Sequence, residues 1–286
     1  MNQTDKGNSI TKAELEVIMN MYRQQRYDAC IKAVKSKLKK IPHSLHLLNY
    51  QAMAYSALKK DKEALLSYQK IIKRDPTLAG PYYNMGIILK RNGRIDEAIE
   101  SYKKALSLKP DYVQVYNNLG VLYKDNEKYE EAIKMFMKAK ELQPDHQNSY
   151  YNLALIKKEQ GQSEEAIELL LKVLDLNPEH GEAYINLGRL CSNAGETERA
   201  AAYFRVAKLL APDQPVAHFN YAVTLHDLGR TDEAIDAYLA AVELDPEFAD
   251  AHFNLAILFE HIDQRHKAIE HMAIYRRVSG DADHEK

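Results

Sequence analysis

The stretch AGPYYNMGIILKRNGRIDEAIESYKKALSLKPDY, residues 79–112, carries the pattern that decides the fold. Its first half places apolar residues at helical spacing, for example at Tyr82 and Leu89, and its second half does so at Ala98 and Tyr102. An Asn-Gly pair between the halves is a turn signal, and a proline near the end stops the second helix. The stretch therefore predicts a helix, a short turn, a second helix and a proline turn.

A proline equivalent to the one near the end of this stretch recurs at a constant spacing of 34 residues along the chain. The prolines are Pro42, Pro76, Pro110, Pro144, Pro178, Pro212 and Pro246. We place each at position 32 of a 34-residue repeat, which gives eight repeats numbered one to eight. The predicted boundaries are 11–44, 45–78, 79–112, 113–146, 147–180, 181–214, 215–248 and 249–282, with a disordered N-terminal tail at 1–10 and a C-terminal tail at 283–286.

Small and aromatic residues recur at fixed repeat positions, as expected where two helices approach closely. Position 8 is Gly or Ala in repeats two to eight, position 20 is Ala in the same repeats, and position 24 is mostly aromatic. This pattern resembles the tetratricopeptide repeat (TPR) family over nearly the whole chain. The resemblance implies an all-α, right-handed superhelical solenoid of eight helix-turn-helix units. The first and eighth repeats depart from the pattern, as terminal capping repeats do.

Composition and charge favour a globular protein without a membrane span or secretory leader. Of 286 residues, 45% are hydrophobic, and no apolar run is long enough to span a bilayer. Cys30 and Cys191 lie on distant repeats, which favours reduced thiols and a cytoplasmic location. Residues 1–110 carry a net charge of +11 and residues 111–286 carry −13, an asymmetry that suggests a partner surface at one end.

One polar residue type recurs at position 6, on the side of the first helix opposite its apolar stripe. These residues are Asn84, Asn118, Asn152, Asn186, Asn220 and Asn254. An amide offers donors and an acceptor, so such a row can bind the backbone of an extended peptide. The row is similar to the asparagine ladders of O-linked N-acetylglucosamine transferase and kinesin light chain, where they hold a peptide backbone. Alternatively, the amides only bridge neighbouring helices.

Further candidate peptide-binding residues flank the asparagine row. Position 5 supplies Tyr83, Asn117, Tyr151, Phe219 and Phe253, which we expect to select apolar or aromatic side chains, unless they pack between adjacent repeats. A basic set is expected to favour acidic ligand residues near the N-terminal half, unless it is only a solvated face. This set is Lys90, Arg91, Lys124 and Lys158.

Several function classes are disfavoured by what the sequence lacks. No three consecutive repeats supply the Lys, Asn and Arg set of the family's two-carboxylate clamp for acidic C-terminal tails. The chain contains no phosphate-binding glycine loop, no zinc-binding HExxH and no nucleophile elbow, and we see no general acid–base pair. We therefore expect no catalytic residues, no metal and no cofactor.

The sequence predicts a non-catalytic scaffold or adaptor that binds an extended segment of a partner protein in a concave groove. One alternative is a head-to-tail oligomer, driven by the charge asymmetry and an apolar edge on the last repeat. Another is a regulatory or substrate-recruiting subunit of a separate enzyme, such as a glycosyltransferase. Nucleic-acid binding by the basic first repeats is a weaker alternative, because aromatic residues do not alternate with the lysines.

Overall fold

The computed structural model describes residues 10–280 and contains, over that range, sixteen α-helices and no strand. The first eight helices are α1 (Lys12–Arg23), α2 (Tyr27–Leu38), α3 (Leu45–Ala57), α4 (Asp61–Arg74), α5 (Ala79–Arg91), α6 (Ile95–Leu108), α7 (Val113–Lys124) and α8 (Tyr129–Leu142). The others are α9 (Gln147–Glu159), α10 (Ser163–Leu176), α11 (Gly181–Asn193), α12 (Thr197–Leu210), α13 (Pro215–Asp227), α14 (Thr231–Leu244), α15 (Ala249–His261) and α16 (Arg265–Ser279). The all-α architecture of repeated helix pairs is therefore confirmed.

The helices form two compact bodies. The N-terminal body ends at Pro144 and the C-terminal body begins at Asp145. Within each body, the odd-numbered helix A of a repeat packs against the even-numbered helix B, and helix B packs against helix A of the next repeat. Each 34-residue repeat proposed from the sequence thus contains one A–B pair. Ile10, the last residue of the proposed N-terminal tail, packs against the buried cluster that contains Ile18, Val34 and Leu47. Residues 1–9 and the proposed C-terminal tail, 283–286, lie outside the described residues.

Close approach of helices A and B explains the small residues at position 8. A methyl group added to Gly86 would lie 2.5 Å from the ring of Tyr102, and one added to Gly188 would lie 2.6 Å from Phe204. Both aromatic residues stand at position 24 of their own repeat and are buried. In these two repeats the ring occupies the space that a side chain at position 8 would need, so glycine and aromatic residue together set the helix spacing.

The turn between helices A and B has the same backbone shape in all eight repeats. Its residue at position 15 adopts a positive φ, between 58° and 75°. Four repeats use glycine there, which adopts this conformation without steric cost. The other four use Gln25, Lys59, Glu127 and Asp263, which store local strain in an otherwise regular array.

The recurrent proline ends helix B by restricting the residue before it. From the second to the seventh repeat, the residue at position 31 is extended, with φ between −133° and −146°. Proline at position 32 disfavours the helical conformation in that preceding residue, so helix B stops at the same place each time. The eighth repeat lacks the proline, and α16 ends instead at Gly280 with a φ of 78°.

Candidate functional site

The six asparagines at position 6 lie on successive A helices, from α5 to α15. Asn84 and Asn118 belong to the N-terminal body. Asn152, Asn186, Asn220 and Asn254 belong to the C-terminal body. Because every A helix enters its repeat in the same way, the amides recur at equivalent places within each body.

Three of the six amides hydrogen-bond to a tyrosine of the preceding repeat. Nδ2 of Asn254 donates to the hydroxyl of Tyr238 over 3.2 Å. Asn84 lies beside the hydroxyl of Tyr68 and lowers its pKa, against the effect of burial. Both tyrosines stand at position 24. The amides therefore join adjacent repeats, as the alternative interpretation of the row predicted.

Two other asparagines use a tyrosine at position 5 of the preceding repeat. Nδ2 of Asn118 donates to the Tyr83 hydroxyl over 3.3 Å, and Nδ2 of Asn186 donates to the Tyr151 hydroxyl over 3.2 Å. The hydroxyl of Tyr102 is buried beside Asn118, yet only Tyr83 stands in hydrogen-bonding geometry with that amide.

The remaining two asparagines follow repeats with phenylalanine at position 24, which has no hydroxyl to offer. Nδ2 of Asn152 donates to the backbone oxygen of Asn148 over 2.9 Å. Nδ2 of Asn220, which follows Phe204, is buried and has no hydrogen-bond partner within residues 10–280. The partner of each amide thus depends on whether the preceding repeat offers a tyrosine hydroxyl at position 5 or, failing that, at position 24.

Burial keeps the tyrosines of this network protonated. It raises the pKa of the Tyr83 and Tyr151 hydroxyls, while the bonds from Asn118 and Asn186 act in the opposite direction. The pKa of Tyr238 is raised strongly for the same reason. A neutral phenol accepts from the asparagine and keeps its own proton to donate.

The aromatic residues at position 5 pack within the array more than they project from it. Tyr83, Tyr151 and Phe219 are half-buried. Each ring lies 4.8 to 5.0 Å, between centroids, from the ring at position 34 of its own repeat. These partners are Tyr112, His180 and Phe248. The three aromatic pairs occur in repeats three, five and seven.

The other two candidates at position 5 differ from these pairs. Phe253 is 39% exposed and packs one face against Tyr275. The side-chain oxygen of Asn117 is buried and has no partner in the described part of the chain. Phe253 is therefore the aromatic candidate with the largest accessible surface.

The basic candidates are mostly engaged by the protein's own groups. Lys90 lies 3.1 Å from Asp125, and Lys124 lies 3.7 Å from the same carboxylate. Arg91 forms a two-point ion pair with Asp61, the first residue of α4. The three cations are thus engaged by two carboxylates, with Lys90 and Lys124 sharing Asp125.

Lys158 is placed differently, beside a cation that sequence reasoning missed. Its Nζ donates to Oδ1 of Asn186 over 2.7 Å. Arg189, one turn beyond Asn186 on α11, is exposed, and within residues 10–280 no carboxylate pairs with it. Arg189 occupies position 9, where other repeats have apolar residues, so the break in that pattern was the available signal.

The N-terminal body contains a small groove at the start of the asparagine row. A cavity of about 250 Å³ is lined by Tyr22, Met53, Tyr68, Asn84, Ile87 and Arg91, among others. These residues come from A helices of the first three repeats and from α4, so the groove follows from the stacking of repeats. A larger concavity of about 700 Å³ lies over the turn 263–267. Its lining residues are all exposed, so it is open surface without converging groups.

Family models match most of the array. The model described as TPR repeat matches residues 88–127 and 222–261, and models described as tetratricopeptide repeat match 50–77, 67–100, 111–179 and 151–217. This chain belongs to the tetratricopeptide repeat family. No curated protein sequence matches the chain at a significant level.

Solved TPR structures share the fold at low sequence identity. The C-terminal part of a TPR repeat-containing protein from Cytophaga hutchinsonii is 18% identical, with a TM-score of 0.65, covering 83% of this chain and 97% of that one. PilF of Pseudomonas aeruginosa is 20% identical, with a TM-score of 0.63 and coverages of 71% and 92%. YrrB, a TPR protein, is 24% identical, with a TM-score of 0.52 and coverages of 69% and 97%.

The TPR assignment supports a role in protein–protein interaction. The TPR helices present polar rows and short grooves between repeats, which suit contacts with other proteins. Among the described residues, no helix combines the length and hydropathy needed to cross a bilayer.

Proposed function

We propose that this TPR protein is a non-catalytic scaffold that binds extended peptide segments along the asparagine-bearing faces of its A helices. The observation that carries the proposal is the way the amides are held. Asn118 and Asn254 each donate one N–H to a tyrosine, and within residues 10–280 no protein group donates to their side-chain oxygens. These oxygens are fixed acceptors for the backbone N–H groups of a ligand, at little further loss of conformational freedom.

The groove beside Asn84 adds a place for a ligand side chain. Its walls combine apolar surface from Met53 and Ile87 with the polar groups of Asn84 and Tyr68. A pocket of about 250 Å³ accepts one large apolar residue of a peptide whose backbone lies on Asn84. YrrB, which shares the fold, is described as having an unusual peptide-binding site. It is a precedent for placing such a site on a TPR array.

We assign the preference for acidic ligand residues to the C-terminal body. Lys90, Arg91 and Lys124 are paired with the protein's own carboxylates, whereas Arg189 is exposed one turn beyond Asn186, to which Lys158 donates. A carboxylate bound there gains charge-assisted hydrogen bonds without breaking an existing ion pair of Arg189.

Two further parts of the proposal concern location and chemistry. The buried, unpaired thiols of Cys30 and Cys191 fit a cytoplasmic location. Any reaction associated with this protein is assigned to a partner, because the candidate residues are hydrogen-bonding amides, packed rings and ion-paired cations.

The test begins with peptides selected on the purified protein from a random-sequence phage library. Affinity is then measured by fluorescence anisotropy for Asn118→Ala and Asn254→Ala. Each substitution is expected to weaken binding of peptides that cover its repeat by roughly tenfold. Tyr238→Phe removes the bond that holds the Asn254 amide but leaves its oxygen in place, so its loss is expected to be smaller than that of Asn254→Ala. Unchanged affinity in both asparagine variants contradicts the proposal.

A charge swap tests the acidic preference separately. Arg189→Glu is expected to weaken peptides with an acidic residue at the matching place, and replacing that residue by lysine in the peptide is expected to restore binding. If Lys90→Glu has the larger effect, the acidic preference belongs to the N-terminal body and our assignment is wrong.

A further inference from the structure

The last helix, α16, leaves uncovered a face that is covered in earlier repeats. Ile269 stands at position 21 and is 70% exposed, whereas Ile235, at the same position of the preceding repeat, is 6% exposed. Ile235 lies on α14, and α15 packs against that helix. The contrast shows that position 21 of a repeat is a docking position for another helix, and that within residues 10–280 nothing occupies it on α16.

This face forms a groove with an apolar floor and basic edges. The groove encloses about 470 Å³, and Ala268, Ile269, Met272 and Ala273 supply its apolar part. Arg265 and Arg276 stand at its two ends, and Glu260 of α15 also lines it. Small and flexible apolar residues between two cations, along more than two turns of helix, match the length of a docked amphipathic helix.

Charge decides what kind of helix fits. Along α16, Arg265, Lys267, Arg276 and Arg277 oppose a single acidic residue, Glu270. Arg265 forms only a solvent-exposed contact with Asp263, and Glu260 is one carboxylate against two arginines, so the groove keeps a net positive charge. A helix with acidic residues beside its apolar stripe complements both properties of the face.

A second copy of this chain fits the groove less well. Its α1 helix would bring Val17, 55% exposed, as an apolar counterpart of Ile269. However, α1 and α2 carry five basic and three acidic residues, so the docked ends would have the same sign of charge. The head-to-tail alternative is therefore opposed by the local charges, although the charge of the whole halves suggested attraction.

We propose that the exposed face of α15 and α16 binds an acidic amphipathic helix of a partner protein. The bound helix lies where helix A of a following repeat would lie, with apolar side chains over Ile269 and Met272 and carboxylates near Arg265 and Arg276. This site is separate from the asparagine row, so the two proposals succeed or fail independently.

The test uses a synthetic helical peptide with leucines spaced three and four residues apart and glutamates at most other positions. A second peptide carries lysines in place of the glutamates. In fluorescence anisotropy, the acidic peptide is expected to bind the full chain with micromolar affinity. The basic peptide is expected to bind roughly tenfold more weakly. Equal binding of the two peptides, or no binding of the acidic one, overturns the proposal.

Variants locate the peptide on the protein. Ile269→Asp and Arg276→Glu are each expected to weaken the acidic peptide by roughly tenfold. Leu209→Asp is the matched control, because Leu209 is also 70% exposed but lies on α12. Since both leucine and isoleucine are largely exposed, these variants stay folded, which circular dichroism checks. Similar losses in the Leu209 and Ile269 variants overturn the proposal.

Light scattering tests the competing occupant. The wild-type protein is expected to remain monomeric at the concentrations used for peptide binding. A dimer that disappears in both Ile269→Asp and Val17→Asp would assign the face to a second copy of the chain and overturn the assignment to an acidic helix.

Discussion

Replacing Phe204 with tyrosine is expected to stabilise the protein by giving a buried amide its missing partner. Nδ2 of Asn220 is buried without a hydrogen bond, and Phe204 stands at position 24 of the preceding repeat. At the equivalent place, the Tyr238 hydroxyl accepts from Asn254 over 3.2 Å. The ring of Phe204 packs tightly against Gly188, so a hydroxyl added to the ring points in a fixed direction.

The magnitude follows from hydrogen-bond energetics in a buried place. A newly formed bond contributes about 0.5 to 1.5 kcal/mol to the free energy of unfolding. The reverse substitution, Tyr238→Phe, leaves the Asn254 amide without its partner and is expected to cost about 1 to 3 kcal/mol. A change of 1 kcal/mol corresponds to a Tm shift of about 2 to 4 °C in a chain of this size.

Thermal unfolding followed by circular dichroism measures both shifts, and Asn220→Ala provides the decisive background. In that background Phe204→Tyr has no amide to bond, so its gain should disappear. If the gain persists without Asn220, or if Tyr238→Phe is neutral, then the tyrosine–asparagine bond does not contribute in the way we infer.

Two further predictions concern backbone strain and pH. Glu127→Gly is expected to raise the free energy of unfolding by about 1 kcal/mol, because Glu127 adopts a φ of 59°. Gly161→Ala at the equivalent turn is expected to lower the free energy of unfolding by a similar amount. Urea denaturation measures both variants, and a less stable Glu127→Gly or a more stable Gly161→Ala would contradict the strain argument. Nδ1 of His252, on α15, lies 2.8 Å from Nδ1 of His271, on α16, and burial lowers the pKa of both rings. Arg277 lowers the pKa of His252 further, and Asp245 opposes the shift. Lys267 and Glu270 act in the same two ways on the pKa of His271. In the unfolded chain the two histidines bind protons from about pH 6.5 downward, whereas in the folded protein their lowered pKa values delay protonation to a lower pH. The free energy of unfolding should therefore be highest above about pH 6.5 and decrease as the pH falls below it. Thermal scans from neutral to acidic pH check this, and an unchanged pH slope in His271→Phe would exclude the pair as the cause.

The sequence predicted the repeat architecture well because its causes are local. A proline restricts the residue before it, and a missing side chain at Gly86 or Gly188 admits a ring, wherever the repeat stands in the chain. The left-handed turn at Lys59 or Glu127 escaped prediction, since no glycine marks it there.

The candidate site was less predictable, because its properties depend on contacts between repeats. The spacing located the asparagines, but whether an amide bonds to a tyrosine depends on which residues stand at positions 5 and 24 of the repeat before it. Likewise, Lys90 and Lys124 form ion pairs through Asp125, a position 13 residue whose partners come from two repeats. Such pairings need side-chain positions across helices, which periodicity alone does not supply.

The aromatic pairs of repeats three, five and seven give the molecule a second period, twice the length of its structural repeat. Deleting one internal repeat keeps the helices in register but shifts every later aromatic pair out of phase with the earlier ones. Deleting two consecutive repeats preserves both. For anyone shortening, lengthening or recombining this array, the smallest interchangeable part is therefore a pair of repeats, even though the helices themselves recur with every single repeat.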